Sequence, residues 1–158
     1  MASRKTAKTT RAKKAAPRAK AAPPKPRTDG KSLALRSASP SFTVNDLDRS
    51  LSWYRDVLGF GVEEKWENEG KVIGVSLKAG DVSFMIGQDD WKKGRDRKKG
   101  EGFRIYCETK KSVDDLAKRI EAKGGRLDQG PTDEPWGVRD ISLTDPDGFK
   151  ITIAQNLR

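Results

Sequence analysis

Residues 141–154 read Ile-Ser-Leu-Thr-Asp-Pro-Asp-Gly-Phe-Lys-Ile-Thr-Ile-Ala, and this stretch predicts a β-hairpin. Its centre, residues 145–148, is a tight-turn sequence, because Pro presets φ near about −65° while Asp and Gly tolerate the left-handed conformation that closes a turn. Large apolar residues fall on one face of each flanking run and small or polar residues on the other, as in strands with one face on a core. The small, polar face is a candidate cavity wall, with a solvated surface as the alternative.

The end of this hairpin has a counterpart earlier in the chain. Residues 84–88 (Phe-Met-Ile-Gly-Gln) match residues 151–155 (Ile-Thr-Ile-Ala-Gln) in pattern and in spacing from a preceding turn that contains Gly. Two amphipathic runs also begin at a helix-capping residue, Asp46 or Ser112, and end at glycine. We therefore predict an internal repeat in which each half is a strand, a helix and about three strands.

These motifs carry a family resemblance. Residues 42–60 read Phe-Thr-Val-Asn-Asp-Leu-Asp-Arg-Ser-Leu-Ser-Trp-Tyr-Arg-Asp-Val-Leu-Gly-Phe. Together with the Asp-Pro-Asp-Gly turn of residues 145–148, this run resembles the vicinal-oxygen-chelate superfamily, which includes glyoxalases, extradiol dioxygenases and bleomycin-resistance proteins. The resemblance covers about residues 37–156. It implies an α+β fold of paired βαβββ modules, whose curled mixed sheet surrounds a cavity, and a homodimer in which two chains often share their cavities.

Charge divides the chain into a tail and a domain. Residues 1–31 hold eleven Lys or Arg and one acidic residue, so they account for the chain's whole net charge of +10. We predict a disordered Lys/Ala/Pro-rich tail at residues 1–35, because this composition buries too little surface to offset the entropy of ordering. The predicted domain spans residues 36–158, with module one at about 37–90, a loop at 91–101 and module two at about 102–156.

The tail is typical of segments that contact nucleic-acid phosphates without reading sequence, with strong sensitivity to salt. Its candidate phosphate contacts are Arg4, Lys5, Lys8, Arg11, Lys13, Lys14, Arg18 and Lys20. The alternatives are a solvated, solubilising extension and a transit peptide. No apolar stretch is long enough to cross a membrane, and the single cysteine, Cys107, lies in an apolar alternation typical of a buried thiol. We therefore expect a cytoplasmic protein, associated with the nucleoid if the tail binds nucleic acid.

The chain contains no His, which bears on the metal chemistry of the superfamily. In its metal-dependent members a His commonly lies seven residues before the Asp that opens the helix, and the residue here is Ser39. The corresponding position of module two falls near Gly102 or Phe103. The family's carboxylate position corresponds to Thr152, and the internal repeat makes Met85 its counterpart. These side chains do not supply the ligands of Zn, Fe, Ni or Mn sites, so we predict that the protein uses no metal and no cofactor. Because glyoxalase-type isomerisation and extradiol cleavage both use a metal, this prediction argues against both activities.

Aromatic and cationic side chains remain to line a cavity. On the first strand of module two, the alternation directs Arg104 and Tyr106 to the cavity and their neighbours to the helix. Flat aromatic faces near an Arg suit a planar ligand, through stacking and cation–π attraction. The candidate ligand-binding residues are Trp66, Met85, Trp91, Arg95, Arg104, Tyr106, Trp136, Arg139 and Thr152. The alternative for each aromatic residue is that it fills the core or a subunit interface.

Two loops carry several of these candidates. The segment 89–100 contains six basic residues and is predicted to form a lid, with Trp91 as the stacking residue and Arg95 or Arg97 as the fork for a carboxylate or phosphate. Its alternatives are a phosphate-contacting patch that works with the tail and a solvated connection. The segment 130–139, stiffened by two Pro, is predicted to present Trp136 and Arg139 at a cavity mouth.

These observations favour a metal-independent small-molecule-binding protein that sequesters an aromatic ligand, in the manner of bleomycin-resistance proteins. We assign no catalytic residue, because no Ser or Cys has a His to activate it, although Asp140 or Glu108 would serve as a carboxylate base if buried. One alternative is a lyase or isomerase of the glyoxalase type with an unorthodox metal site. Another is a dimeric scaffold for a nucleic-acid-binding tail.

Overall fold

The computed structural model describes residues 37–158. The predictions for the basic tail, including its phosphate-contacting cations, lie outside the described residues. Within residues 37–158, neither the length nor the apolar character of any helix is sufficient for a membrane span.

Two βαβββ units follow one another along the chain. The first comprises β1 (Ser41–Val44), α1 (Leu47–Ser52), which continues as a π-helical segment (Trp53–Leu58), β2 (Gly61–Asn68), β3 (Lys71–Ala79) and β4 (Val82–Gln88). The second comprises β5 (Arg104–Thr109), α2 (Val113–Ala122), β6 (Gln129–Glu134), β7 (Val138–Thr144) and β8 (Lys150–Asn156). Each unit makes a four-stranded mixed sheet, in the order β1-β4-β3-β2 or β5-β8-β7-β6. The predicted α+β fold is confirmed.

Both helices begin where the sequence predicts. The Asp46 carboxylate accepts a hydrogen bond from the Arg49 N–H at 3.0 Å, and the Ser112 hydroxyl accepts one from the Asp115 N–H at 3.2 Å. Each side chain therefore satisfies one of the amide groups that a helix start leaves without a partner. The first helix ends at Gly59, whose φ of 82° is left-handed, as predicted. Its π-helical second half has no signal in the sequence.

The internal repeat is visible in matching hydrogen bonds. The Gln88 side chain at the end of β4 accepts a hydrogen bond from the Leu47 N–H at 3.1 Å, at the start of α1. The Gln155 side chain near the end of β8 accepts one from the Val113 N–H at 3.1 Å, at the start of α2. In each unit the last strand is thus tied to the first turn of the helix.

One face of each sheet packs against the helices in a common core. In the first sheet Val75 pairs with Ile86 across β3 and β4, and both are fully buried. In the second sheet Leu143 pairs with Ile151 across β7 and β8, and these residues belong to the same apolar cluster. Burial of a side chain of this size contributes about 1.5–3 kcal/mol to stability. The opposite face of each sheet, called the open face below, carries the small and polar side chains.

The predicted hairpin turn also joins the two units. Gly148 closes the turn with a φ of 102° and donates to the Asp145 carbonyl at 3.1 Å. The Asp145 carboxylate accepts a hydrogen bond from the Tyr54 hydroxyl at 2.9 Å, which links the turn to the first helix. Beside it, the rings of Phe42 and Phe149 lie 4.2 Å apart between centroids. The turn is therefore part of the contact between the units.

Candidate functional site

Arg104 extends across the open face of the second sheet. Its Nη1 donates to the Thr152 hydroxyl at 2.6 Å and to the Ser142 hydroxyl at 3.2 Å, and these hydroxyls lie 3.2 Å from each other. Thr152 is buried, so the pair holds the guanidinium from beneath. Neither Nε nor Nη2 of Arg104 donates a hydrogen bond to residues 37–158. The arrangement leaves part of a planar cationic fork for an anionic ligand.

Tyr106 stands beside this cluster on the same open face. The register of β5 with β8 pairs Tyr106 with Thr152, and half of the Tyr106 side chain is exposed. Burial and the charges of Glu108 and Asp140 raise the pKa of its hydroxyl, so it stays neutral and able to donate at physiological pH. The structure thus brings together three of the predicted residues, Arg104, Tyr106 and Thr152.

Asp140 is a buried carboxyl group two residues before Ser142 on β7, and therefore on the same open face. It is only 6% exposed, and its Oδ1 is buried with no hydrogen-bond partner among the described residues. Burial raises the pKa of Asp140, the charge of Glu134 raises it further, and the charge of Arg104 opposes both. The second sheet therefore presents a cation and a carboxyl group side by side.

Trp66 and Met85 lie on the open face of the first sheet. Trp66 pairs with Gly74 across β2 and β3, and Gly74 pairs with Gly87 across β3 and β4. A Cβ atom at Gly74 would stand 3.0 Å from Cε3 of Trp66, so the absence of a side chain there makes room for the indole. Met85 is the neighbour of Ser41 in the same sheet. No hydrogen bond joins these two residues to the Arg104 cluster within residues 37–158.

The segment between the units is folded back on a buried acid. The Asp89 carboxylate accepts hydrogen bonds from Lys99 at 2.5 Å, from the Trp91 N–H at 2.9 Å and from Arg97. These bonds, that of Lys99 foremost, hold the pKa of Asp89 well below its usual range. Arg95 lies over the Trp91 ring, 4.7 Å from its centroid. Arg97 is thus committed to Asp89, while Arg95 and Trp91 form a cation–π pair.

Trp136 and Arg139 are separate from the Arg104 cluster. Arg139 donates to Asp114 in the first turn of α2 at 2.8 and 2.9 Å, and to Asp133 at 2.5 Å. These hydrogen bonds raise the pKa of Arg139 and occupy its guanidinium. Trp136 is 62% exposed at the turn between β6 and β7. Arg139 therefore serves the contact between β7 and the helix.

Two open hollows lie where the connecting segment passes the last hairpin. The larger, of about 470 Å³, is lined by Lys99, Gly100, Glu101, Gly102, Phe103, Arg104, Gly148 and Lys150. The smaller, of about 390 Å³, lies against β1 and is lined by Ser41, Thr43, Arg97 and Phe149 among others. Arg104 and Lys150 give the larger hollow a cationic rim, with Glu101 as its acidic member. None of Trp66, Trp91 and Trp136 lines these two hollows.

A family model for the glyoxalase/bleomycin resistance protein/dioxygenase superfamily matches residues 36–153. The chain belongs to this superfamily. The match covers the first βαβββ unit and the second up to Ile153 within β8, and it confirms the resemblance seen in the sequence.

One relative and two solved structures are similar to this chain. A probable lactoylglutathione lyase of Vibrio cholerae is 31% identical over 126 residues, which cover 72% of this chain and 85% of that protein. Two solved structures share the fold. TioX from Micromonospora sp. ML1 is 21% identical with a TM-score of 0.62, over 77% of this chain and 100% of its own. A protein of unknown function from Agrobacterium tumefaciens is 26% identical with a TM-score of 0.63, over 80% of this chain and 98% of its own.

The strand register locates the superfamily's metal-ligand positions. Ser41 pairs with Met85 and Tyr106 pairs with Thr152, so the repeat makes Ser41 and Tyr106 equivalent. Two residues earlier, Ser39 is then equivalent to Arg104. The predicted place of this second position, near Gly102 or Phe103, is therefore corrected to Arg104.

This donor set does not fit a metal ion of the superfamily type. The four ligand positions hold Ser39, Met85, Arg104 and Thr152. The Arg104 guanidinium has no lone pair to donate and repels cations. It also donates a hydrogen bond to Thr152, at another of these positions. Ser39 is bonded to Ser83 at 3.2 Å, and Met85 offers only a thioether. Residues 37–158 contain no group of three or more acidic, His or Cys side chains arranged for a metal ion.

The sequence pattern placed Ser142 on the small, polar face of the hairpin but not among the ligand-binding residues, and it named Asp140 only on the condition of burial. The alternation of β7 places Ser142 opposite Thr152, so the small, polar face of the predicted hairpin was a sufficient signal for it. The burial of Asp140 depends on the neighbouring strands, so the residues next to it in the sequence do not predict it.

Proposed function

We propose that this protein binds a small aromatic molecule that carries an anionic oxygen, and that it does so without a metal ion and sequesters the ligand. The observation that carries the proposal is the anchored guanidinium of Arg104, held by Thr152 and Ser142 with two nitrogens uncommitted within the described residues. A fixed fork loses less freedom on binding a carboxylate than a mobile side chain does.

Aromatic side chains supply the apolar part of the proposed site. Tyr106 is half exposed beside Arg104, and Trp66 lies on the open face of the other sheet. Stacking on such rings favours planar ligands. We further propose that a second copy of the chain covers the open faces in a homodimer. The exposed apolar residues Ile73 and Tyr106, at 44% and 50%, are the kind of surface that a partner would bury.

Replacement of Arg104 by glutamine should abolish most of the binding of aromatic carboxylates. Loss of a charge-assisted hydrogen-bond pair corresponds to about a tenfold to hundredfold weaker Kd. The measurement is isothermal titration of the protein with a panel of benzoates and naphthoates. Arg126→Gln makes the same charge change at an exposed site on the loop after α2 and should leave Kd unchanged. Equal affinities for the wild type and Arg104→Gln would contradict the proposal.

A glyoxalase-type lyase or isomerase with an unorthodox metal site is the second candidate function. The name of the Vibrio cholerae relative favours it. The two candidates differ in metal content, because an enzyme of that type requires a stoichiometric ion.

Elemental analysis of protein purified without chelator or metal-affinity tag should find less than about a tenth of an equivalent of any transition metal. The reason is that the four ligand positions hold a guanidinium, a thioether and two hydroxyls. A full equivalent, with loss of that metal on mutation of Ser39 or Thr152, would favour the lyase or isomerase and contradict metal-independent binding.

The basic tail supports a further part of the proposal, an association with nucleic acid in the cytoplasm or nucleoid. Residues 1–31 carry a charge equal to the chain's net +10, and contacts from such a segment are to phosphates and weaken steeply with salt. In this arrangement the domain would bind the small molecule while the tail holds the protein on a polyanion.

A further inference from the structure

The unpaired carboxyl group of Asp140 lies in the middle of the second sheet. β7 is flanked by β8 and β6, and Asp140 pairs with Ala154 on one side and Thr132 on the other. The residue is only 6% exposed. A buried acid in such a position normally has its oxygens satisfied by hydrogen bonds.

No such partner is present among the described residues. Oδ1 of Asp140 is buried and unbonded. Oδ2 likewise accepts no hydrogen bond there, but it is absent from the fully buried unbonded atoms, so it keeps some contact with the outside. A donor from outside can therefore reach Oδ2, the oxygen that keeps this contact. Leaving a buried charged acceptor unsatisfied is costly, which makes the position unusual for a purely structural acid.

The charges around Asp140 also favour a hydrogen-bond donor that comes from outside the protein. The charge of Arg104 attracts the Asp140 carboxylate, but Nη1 of Arg104 donates its hydrogen bonds to Thr152 and Ser142. Glu134 on β6 and Glu108 on β5 add negative charge to the same side of the sheet. A cationic or neutral donor entering this region would therefore meet a favourable field.

We propose that Asp140 is the second polar contact of the ligand site, where it accepts a hydrogen bond from an amine, ammonium or hydroxyl group of the same ligand whose anionic oxygen lies on Arg104. The inference rests on the proposed function and specifies its ligand class, an aromatic amino- or hydroxy-carboxylate. Ser142 beneath the guanidinium and Asp140 are two residues apart on one strand, a distance of about 7 Å. The ligand's donor and carboxylate are therefore at opposite ends of a ring.

A matched pair of ligands tests this inference. 4-(Aminomethyl)benzoate and 4-ethylbenzoate have nearly the same shape, but only the first carries an ammonium opposite its carboxylate. By calorimetric titration, the wild type should bind the ammonium compound at least about tenfold more tightly, as expected for a hydrogen bond between charged groups. Asp140→Asn should remove this preference, while Arg104→Gln should weaken both compounds. Glu121→Gln, the same charge change at an exposed site on α2, should preserve the preference.

The outcomes separate this inference from the proposed function. Equal binding of the two compounds by the wild type, or a preference that survives in Asp140→Asn, overturns the role of Asp140 and leaves carboxylate binding at Arg104 intact. Binding of neither compound to the wild type overturns the proposed function and this inference with it. Thermal unfolding of Asp140→Asn, an isosteric change that removes a buried charge, verifies that any lost preference comes from a folded protein.

Discussion

Replacement of Gly100 by alanine should lower the free energy of unfolding by about 3 kcal/mol or more. An alanine Cβ at this position would stand 2.1 Å from the Gly148 carbonyl oxygen, 2.5 Å from its carbon and 2.8 Å from Cα of Phe149. These are backbone atoms, so no side-chain rotation relieves the overlap. Gly100 also has a φ of 73°, which adds conformational strain to a residue with a side chain. The connecting segment would have to move away from the last hairpin.

A second glycine of the same segment supplies the control. Gly94 has a φ of 91°, but nothing lies within 4 Å of the Cβ that alanine would add. Gly94→Ala should therefore show the conformational cost alone, about 1–2 kcal/mol. Chemical denaturation of both variants measures the difference, which reports the contact with Gly148. Equal losses would mean that the segment does not pack closely on the hairpin.

Asp145→Ala should cost about 3–4 kcal/mol of stability, the second large effect. The Asp145 carboxylate is 5% exposed and accepts hydrogen bonds from the Tyr54 hydroxyl at 2.9 Å and from the N–H groups of Phe149 and Asp147 at 2.8 and 2.9 Å. Removing it leaves three donors without a partner, one of them the hydroxyl of a fully buried tyrosine. The measurement is equilibrium unfolding in urea.

A double-mutant cycle assigns the part of this loss that links the two units. Tyr54→Phe keeps the ring and removes one donor, so it should cost about 1–2 kcal/mol. The double variant should then lose less than the sum of the single variants, because the two side chains share one hydrogen bond. Additive losses would show that the Tyr54 bond contributes nothing and that Asp145 acts on its own turn alone.

Local signals predicted the parts of the fold that local chemistry controls. The caps Asp46 and Ser112, the turn around Gly148 and the repeated strand pattern that contains Gln88 or Gln155 all occur in the structure as the sequence indicates. Each is a short pattern whose physical cause lies within a few residues. The π-helical half of the first helix has no such pattern, and the sequence did not reveal it.

The candidate site depends on contacts between distant parts of the chain. The equivalence of Ser39 and Arg104 follows from the parallel register of two strand pairs, which a single sequence does not fix. Counting along the chain placed the second position one or two residues too early. Likewise, the sequence of the connecting segment does not show which of its six basic residues pair with Asp89. The ion pairs with Arg97 and Lys99 depend on how the segment folds.

The parallel pairing of β1 with β4, and of β5 with β8, has a consequence for the order of folding. In each unit the first strand, β1 or β5, has no sheet partner until the last strand, β4 or β8, has been added. The pairing with the largest separation along the chain therefore forms last. The hairpins between β2, β3 and β4 are local and close quickly by comparison. During synthesis, each incomplete sheet exposes the apolar edge of β3 or β7 until its fourth strand arrives. The interval before that strand arrives is when either unit is most exposed to pairing with the wrong chain.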